Sequence, residues 1–411
     1  MSNINLLSSM SRVETPVVSV QIGDYSFGVI TSDTPNKVIK SKYPNYIQSL
    51  QVEKINGQVN KYTLRLDYPI AYGDDPNFFE KVFASASKDR TIFFTYGDMS
   101  TPSFLYRREE ATILKVSPSF DIQNSKLSYT VSAISKAALV SVGTHHFPAK
   151  TAQPSEEIKR LLKTNAFGLT DVFFGMKNYN LVLSRGLIPG DDKEVFIEDK
   201  TTDVLTYLSY LVTIMRRVGS NDSILLTSSN YNLIVIDDTS GEFNGPYFKI
   251  VKCSTDGDSL TTYDIDIGFP SSNIVTSFNV NVDKTYSLLY DYQEKISSQK
   301  YVTRIDDEGK LSQVFAPAIS SNNNQYQTNE IDRSWRSKVT QFPIGVNITI
   351  KGLLRPAILM SYVRLNVYFY GQKYLYSGLY IITKQVDTID YNGYRTELTM
   401  TRVGGDNSYD Y

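Results

Sequence analysis

The chain has 411 residues, with 42 Lys and Arg against 43 Asp and Glu, a formal net charge of -1. That length and a 41% hydrophobic fraction allow several domains with sizeable cores. The even charge balance argues against a dedicated nucleic-acid binder, and the single cysteine, Cys253, excludes both an internal disulfide framework and a thiolate metal cluster.

The opening MSNINLLSSMSRVETP carries no basic segment followed by an apolar core, so no secretory signal is expected. No run of about 18 apolar residues occurs, so no membrane span is expected either. Residues 17–30 alternate, with Val18, Val20 and Ile22 on one face and Ser19 and Gln21 on the other, which predicts a strand. Residues 46–70 predict an antiparallel pair. Leu50 and Val52 approach an Asn56-Gly57 turn, and Tyr62, Leu64 and Leu66 leave it on one face.

A helix follows, with Asp75 placed to cap, Pro76 in the first turn and Phe79, Val82 and Phe83 as its apolar stripe. Residues 90–97, 104–120 and 126–140 read as three more strands. Within them, Arg107, Arg108, Glu109 and Glu110 read as an exposed strand face.

Pro148 and Pro154 mark a change of character. The segment SEEIKRLLKTNAF predicts a helix with Ser155 as cap and Ile158, Leu161 and Leu162 inward. Residues 202–218 give the clearest helix. Thr206, Ser209, Thr213 and Arg216 leave only a narrow polar stripe, so Val204, Leu208, Leu211 and Met215 are expected in a core. Arg216 and Arg217 suit its C-terminal end, and Gly219 suits its stop. Strand patterns at 231–238 and 247–254 follow.

After residue 270 the period-two pattern returns at 274–292 through Phe278, Val280 and Val282. Residues 303–333 weaken into a polar loop or linker, and a helical turn is expected around Trp335. The chain closes with strands at 345–353 and 363–372 and a last hairpin. In that hairpin Asn392-Gly393 is the turn signal. Tyr394, Thr396, Leu398 and Met400 share one face of the return strand, against Arg395, Glu397, Thr399 and Thr401. The fold class is therefore α+β, mainly β. Two related antiparallel β-domains at 1–145 and 271–411 flank a smaller middle domain at 146–270 that carries the helices.

Chemical motifs are sparse. His145 and His146, the only histidines, point to opposite faces of an extended chain and read as a surface loop, so no metal site is assigned. Cys253 reads as a small buried hydrophobe. Asp256-Gly257-Asp258 with Asp264 and Asp266 lacks the spacing and closing Glu of a calcium loop. No phosphate-cradling or nucleophile-elbow motif occurs. No catalytic residue and no cofactor are assigned, and no individual interface residue is legible.

The last seventy residues carry a resemblance. The run has a strand ending in Gly352, then Gly378-Leu379-Tyr380, then a return strand with Gly393, Tyr394, Thr396, Leu398 and Arg402. This closing segment resembles that of bacteriophage baseplate hub proteins. The helix at 202–218 followed by the YNLIVIDD strand is similar to that family's central portion.

The resemblance implies two tail-tube-like β-domains in one chain and a homotrimeric ring in the virion tail, assembled in the host cytoplasm. It implies partners in the tail tube protein, a spike or puncturing protein, the tape-measure protein and baseplate wedge proteins. It also implies transient passage of DNA without specific nucleic-acid binding. The chain stops eight residues after the last hairpin, from which a separate spike and a contractile tail are expected. Two alternatives stay open: a Tyr-rich carbohydrate-binding tail adhesin, and a cell-wall glycan hydrolase of the tail tip.

Overall fold

The computed structural model describes residues 4–5, 16–31, 38–40, 46–71, 74–86, 90–98, 107–141, 143–163, 181–183, 192, 194–215, 231–237, 247–252, 262–267, 275–282, 301–305, 311–315, 344–351, 359, 362–374 and 376–402. The chain starts with β1 (Ile4–Asn5), which pairs in parallel with β17 (Thr262–Ile267) of the last unit; the first unit contains β2 (Pro16–Ile22), β3 (Tyr25–Thr31), β4 (Val38–Lys40), β5 (Ile47–Ile55), β6 (Lys61–Pro69), helix α1 (Phe78–Ser85), β7 (Thr91–Asp98), β8 (Arg107–Asp121) and β9 (Lys126–Ser135).

The stretch 17–30, expected as one strand, is a hairpin. Gly23, at φ +54°, and Asp24 form the turn, and Ile22 faces Tyr25. The Asn56-Gly57 turn is wider than a tight hairpin. Five residues, 56–60, join β5 to β6, and only Gly57 takes a positive φ. Asp75 does not cap α1. It sits before the N-cap Asn77, takes the Asn77 N–H at 3.0 Å and pairs with Lys81 at 2.5 Å. The ladder expected to run to residue 140 stops at Ser135. There the Ser135 hydroxyl accepts the Ala137 N–H, and a 3-10 turn takes over at Lys136–Ser141.

The apolar faces meet where alternation put them. Leu50, Val52, Tyr62, Leu64, Leu66, Val131 and Phe94 are buried in one core. Phe79 of α1 is the helix's main anchor, stacked on Phe27 at 5.5 Å and in ring contact with Tyr129. A helix this short is held by such packing rather than by its own propensity.

The middle unit has β10 (His145–Phe147), β11 (Lys150–Ala152), α2 (Pro154–Lys163), β12 (Leu181–Leu183), β13 (Val195–Ile197), β14 (Lys200–Thr202), α3 (Val204–Ile214), β15 (Tyr231–Ile236) and β16 (Tyr247–Lys252). Strand, strand, helix occurs twice, and the copies interlock because β10 pairs with β14 and β11 with β13, both antiparallel. His145 and His146 therefore lie in a short strand rather than a loop, facing Thr202 and Thr201.

Ser155 is not the cap of α2. It lies inside the first turn and donates both its N–H and its hydroxyl to the buried Asp192 carboxylate. Ile158 and Leu161 are buried as expected, while the side chain of Leu162 lies outside those described. Helix α3 is shorter than the expected span. Asp203 caps it, accepting the Thr206 N–H at 2.9 Å, and Met215 ends it. Val204, Leu208, Leu211 and Met215 are all buried in the middle core, as their spacing required. Arg216, Arg217 and Gly219 lie outside the described residues, as do Cys253, the Asp256–Asp258 turn and the Trp335 segment.

The last unit has β17 (Thr262–Ile267), β18 (Val275–Val282), β19 (Tyr301–Ile305), β20 (Leu311–Phe315), β21 (Ile344–Lys351), β22 (Tyr362–Phe369), β23 (Gln372–Lys373), β24 (Gly378–Asp390) and β25 (Gly393–Arg402). Part of the expected 303–333 linker is instead a strand pair, β19 on β20. Asp264 and Asp266 lie on β17, which was grouped with the middle domain by sequence but pairs in parallel with β22 of the large sheet.

In the last hairpin the two turn residues are Tyr391 and Asn392 rather than Asn392 and Gly393. Gly393 pairs with Asp390 and holds φ +109°. A Cβ at Gly393 would meet nothing within 4 Å. Gly393→Ala is thus expected to cost only backbone strain, about 1 kcal/mol, read as a small drop in thermal midpoint.

The two β-units repeat one another. The ladders β5–β6–β9–β8–β7 and β18–β21–β25–β24–β22 are each antiparallel and run in the same order. Their registers correspond step by step. Leu50 faces Leu64, Leu64 faces Val131, and Val131 faces Val116. At the matching places Phe278 faces Ile348, Ile348 faces Leu398, and Leu398 faces Gln385.

The irregularities coincide too. β5 slips between Ile47 and Ser49 where β18 slips between Val275 and Ser277, and β8 slips between Ile113 and Lys115 where β24 slips between Ile382 and Lys384. Bulges at the same ladder step are specific features of a sheet rather than defects. The match ends at the outer strands, where β2 joins β7 antiparallel but β17 joins β22 in parallel.

Candidate functional site

The bulge divides β24 between two partners. Gly378–Ile381 pair with β22 of the same unit, while Lys384–Ile389 pair with β5 of the first unit, from Lys384 opposite Ile55 to Ile389 opposite Leu50. One sheet thus runs through both units without an edge at their junction. Ile389 and Tyr394 enter the first unit's core, and Tyr394 meets Tyr96 edge-on. On the outer face Lys384 pairs with Glu53 at 2.5 Å. Gly378 is buried at the start of β24, opposite Leu365.

Behind this seam lies a buried charged cluster. Lys54, on the same face of β5 as Leu50 and Val52, is 3% exposed and pairs with Glu109 of β8, which is 0% exposed. Tyr96 donates to the same Glu109 carboxylate at 2.9 Å. Asp387 of β24 takes the Thr396 hydroxyl at 2.6 Å and the Gln385 amide at 2.7 Å. The face containing Glu109 is therefore interior, not the exposed one expected. Beside it, Glu110 is half-buried and pairs with Lys136, and Arg108 lies over the Phe93 ring at 4.6 Å.

The middle unit closes the cluster. Asp237, just past β15, points its carboxylate into the first unit. It accepts from the Asn60 amide at 2.8 Å, from the Tyr62 hydroxyl at 2.9 Å and from the Ser135 hydroxyl. Its own backbone carbonyl takes the Glu110 N–H at 3.3 Å. Nearby, the Ser209 hydroxyl of α3 reaches the Gly57 carbonyl at 3.4 Å, so the 56–60 loop seats the helix.

Burial pushes the Asp237 carboxyl up to about 7 against the pull of three hydrogen bonds, with neighbouring Glu109 adding to the rise. Burial likewise raises Asp387 to about 6, which Lys54 partly offsets. Burial and the adjacent Asp237 hold the Tyr62 phenol well above its usual range.

This is the chemistry of a three-way structural joint. The acids are enclosed and hydrogen-bonded, and each comes from a different unit or strand. Of these residues the sequence singled out Tyr62, on an apolar face, and Glu109, on a face expected to be exposed; for Lys54 a signal was present, because it continues the apolar face of Leu50 and Val52. Among the described residues no group of three or more His, Cys, Asp and Glu is placed to hold a metal ion, and no helix is long and apolar enough to cross a membrane.

The exposed large apolar side chains stand elsewhere. Ile122 and Tyr391 lie in turns at one end of the strands, because Asp121 pairs with Lys126 and Ile389 pairs with Leu50. Phe369 and Tyr370 lie at the opposite end, beyond the step where Leu365 faces Gly378.

No protein-family model and no curated protein matches the chain. Solved structures do. A tail protein from Neisseria meningitidis superposes at a TM-score of 0.50 with 10% identity, covering 94% of this chain and 97% of that one. The 43 kDa tail protein of prophage MuSo2 from Shewanella oneidensis superposes at 0.51 with 10% identity over the same shares. The expected fold is the one observed: this mainly β chain has the architecture of phage tail proteins.

Proposed function

We propose that the chain is the structural hub of a phage tail baseplate. Three copies close a ring that joins the tail tube to the central spike and lines a channel for DNA and the tape-measure protein. The observation that carries this reading is the internal repeat: two β-units with matching ladders and matching bulges, already fused edge to edge across β24 and β5. Three such chains give six similar units around one axis. That suits a part lying between a sixfold tube and a threefold spike. The phage-tail fold supports the same reading. The wedge proteins would dock outside the ring, and the role is that of a scaffold in the virion rather than of an enzyme.

The adhesin reading is less well supported. It needs aromatic side chains gathered in one groove, whereas Tyr391 and Tyr370 stand at opposite ends of the strands. Native mass spectrometry of the purified chain is expected to give three copies, and electron microscopy a ring with a central opening. A closed dimer, or an assembly without an opening, would overturn the proposal.

A further inference from the structure

The repeat makes a residue-level statement about what lies next to each copy; it rests on the ring reading above. In the last unit the part of β24 beyond its bulge is covered by β5. The matching part of β8 in the first unit, residues 115–120, pairs with β9 on one side only. β7 covers β8 no further than Thr112. On its other side no strand lies among the described residues, and Leu114, Phe120 and Ile122 are 61%, 53% and 79% exposed there.

At the far end of the same sheet, β18 pairs, among the described residues, with β21 alone. By ladder position β18 is the counterpart of β5, the strand that covers β24. Each unpartnered edge is thus the equivalent of one half of a junction the chain already makes. Within one chain the two edges are separated by β21, β25, β24, β5, β6 and β9.

We infer that residues 115–120 of β8 receive β18 of a second copy as an added antiparallel strand, in the register that β24 uses with β5. Carried over, that register sets Phe120 opposite Phe278, Ser119 opposite Asn279, Pro118 opposite Val280, Ser117 opposite Asn281 and Val116 opposite Val282. Apolar positions meet apolar positions, and polar meet polar, at every step. At the internal seam the matching inward positions include Lys54, Gln385 and Asp387. At the seam between copies the counterparts of Gln385 and Asp387 become Val116 and Pro118. A joint formed by association thus replaces charges with apolar groups, which lose water on contact without needing partners. Pro118 has no N–H to donate, so the ladder is one hydrogen bond short at that step. The contact joins two different edges, so it is head-to-tail and closes rings rather than two-fold dimers.

Cysteine cross-linking in a Cys253→Ser background tests this. Gln51→Cys with Thr388→Cys, the internal counterparts of Asn279 and Ser119, should form a disulfide within one chain and so validate the geometry. Ser119→Cys protein mixed with Asn279→Cys protein should then give a disulfide-linked dimer under mild oxidation. Neither protein alone should do so, and Ser117→Cys mixed with Asn279→Cys should link far less. No mixed dimer while the internal control forms, or a dimer from Ser119→Cys alone, would overturn the pairing. Rings seen without the mixed cross-link would sink this register and leave the hub standing. The cross-link found only in open filaments would sink the hub and leave the pairing standing.

Discussion

Asp237→Ala should be among the most destabilising single substitutions in the chain. The change removes the common acceptor of the Asn60 amide, the Tyr62 hydroxyl and the Ser135 hydroxyl, all enclosed where the middle unit meets the first. The Ser135 hydroxyl then loses its acceptor, the Asn60 amide keeps only the Val235 carbonyl at 3.2 Å, the Tyr62 hydroxyl is left to Glu109, and water reaches them only if the joint opens. Leaving such groups unsatisfied costs about 3–5 kcal/mol in total, by analogy with breaking a buried charged pair. Chemical denaturation should show the loss, together with faster hydrogen exchange in β6 and β15. A loss below about 1 kcal/mol would mean that the carboxylate does not hold the joint.

Asp237→Asn separates shape from charge. Its carbonyl can take Asn60 and Tyr62 while its amide donates to the Ser135 hydroxyl, so the fold should survive. The pH dependence should change. The folded chain holds a proton on Asp237 up to about pH 7 and on Asp387 up to about pH 6. In the unfolded chain both ionise near about 3.9. Their contribution to stability is therefore fully present below about pH 4 and is lost as pH rises through about 6 for Asp387 and 7 for Asp237. The wild-type chain should lose stability between about pH 4 and 7, and Asp237→Asn should lose less. Parallel profiles for the two proteins would refute this account of Asp237.

Gly28→Ala is expected to be comparably damaging for a different reason. Gly28 lies inside β3 opposite Ser19, at φ +83°. A Cβ there would sit 2.1 Å from the Val18 carbonyl oxygen and 3.0 Å from the Ile47 side chain. The carbonyl belongs to a strand paired on both sides, so it cannot retreat without tearing β2 from β3 or β7. Left-handed strain plus this clash should cost about 3 kcal/mol or more. Gly393→Ala is the control, since it shares the strain without the clash. A similar drop in thermal midpoint for both variants would contradict the steric argument.

By periodicity alone the sequence identified most of the buried faces, that of Glu109 excepted. Tyr62, Leu64 and Leu66, the Tyr394-to-Met400 face, and Val204, Leu208, Leu211 and Met215 all pack inward, because period and burial are set locally by backbone geometry. It also placed the hairpin at 378–402 and the likeness between the first and last units.

What it misjudged were stops and partners. The strand at 126–135 ends where a hydroxyl captures a backbone N–H, and β3 begins where a glycine turns the chain. Each depends on one contact that periodicity does not register. The charged cluster stayed hidden because its members are remote in sequence. Lys54, Glu109, Asp237 and Asp387 have ordinary neighbours along the chain, and only the sheet brings them together. The division of β24 between β22 and β5 was likewise decided by the tertiary structure. A strand's alternation says which side faces inward, whereas its two edges offer identical backbone groups to any strand that reaches them.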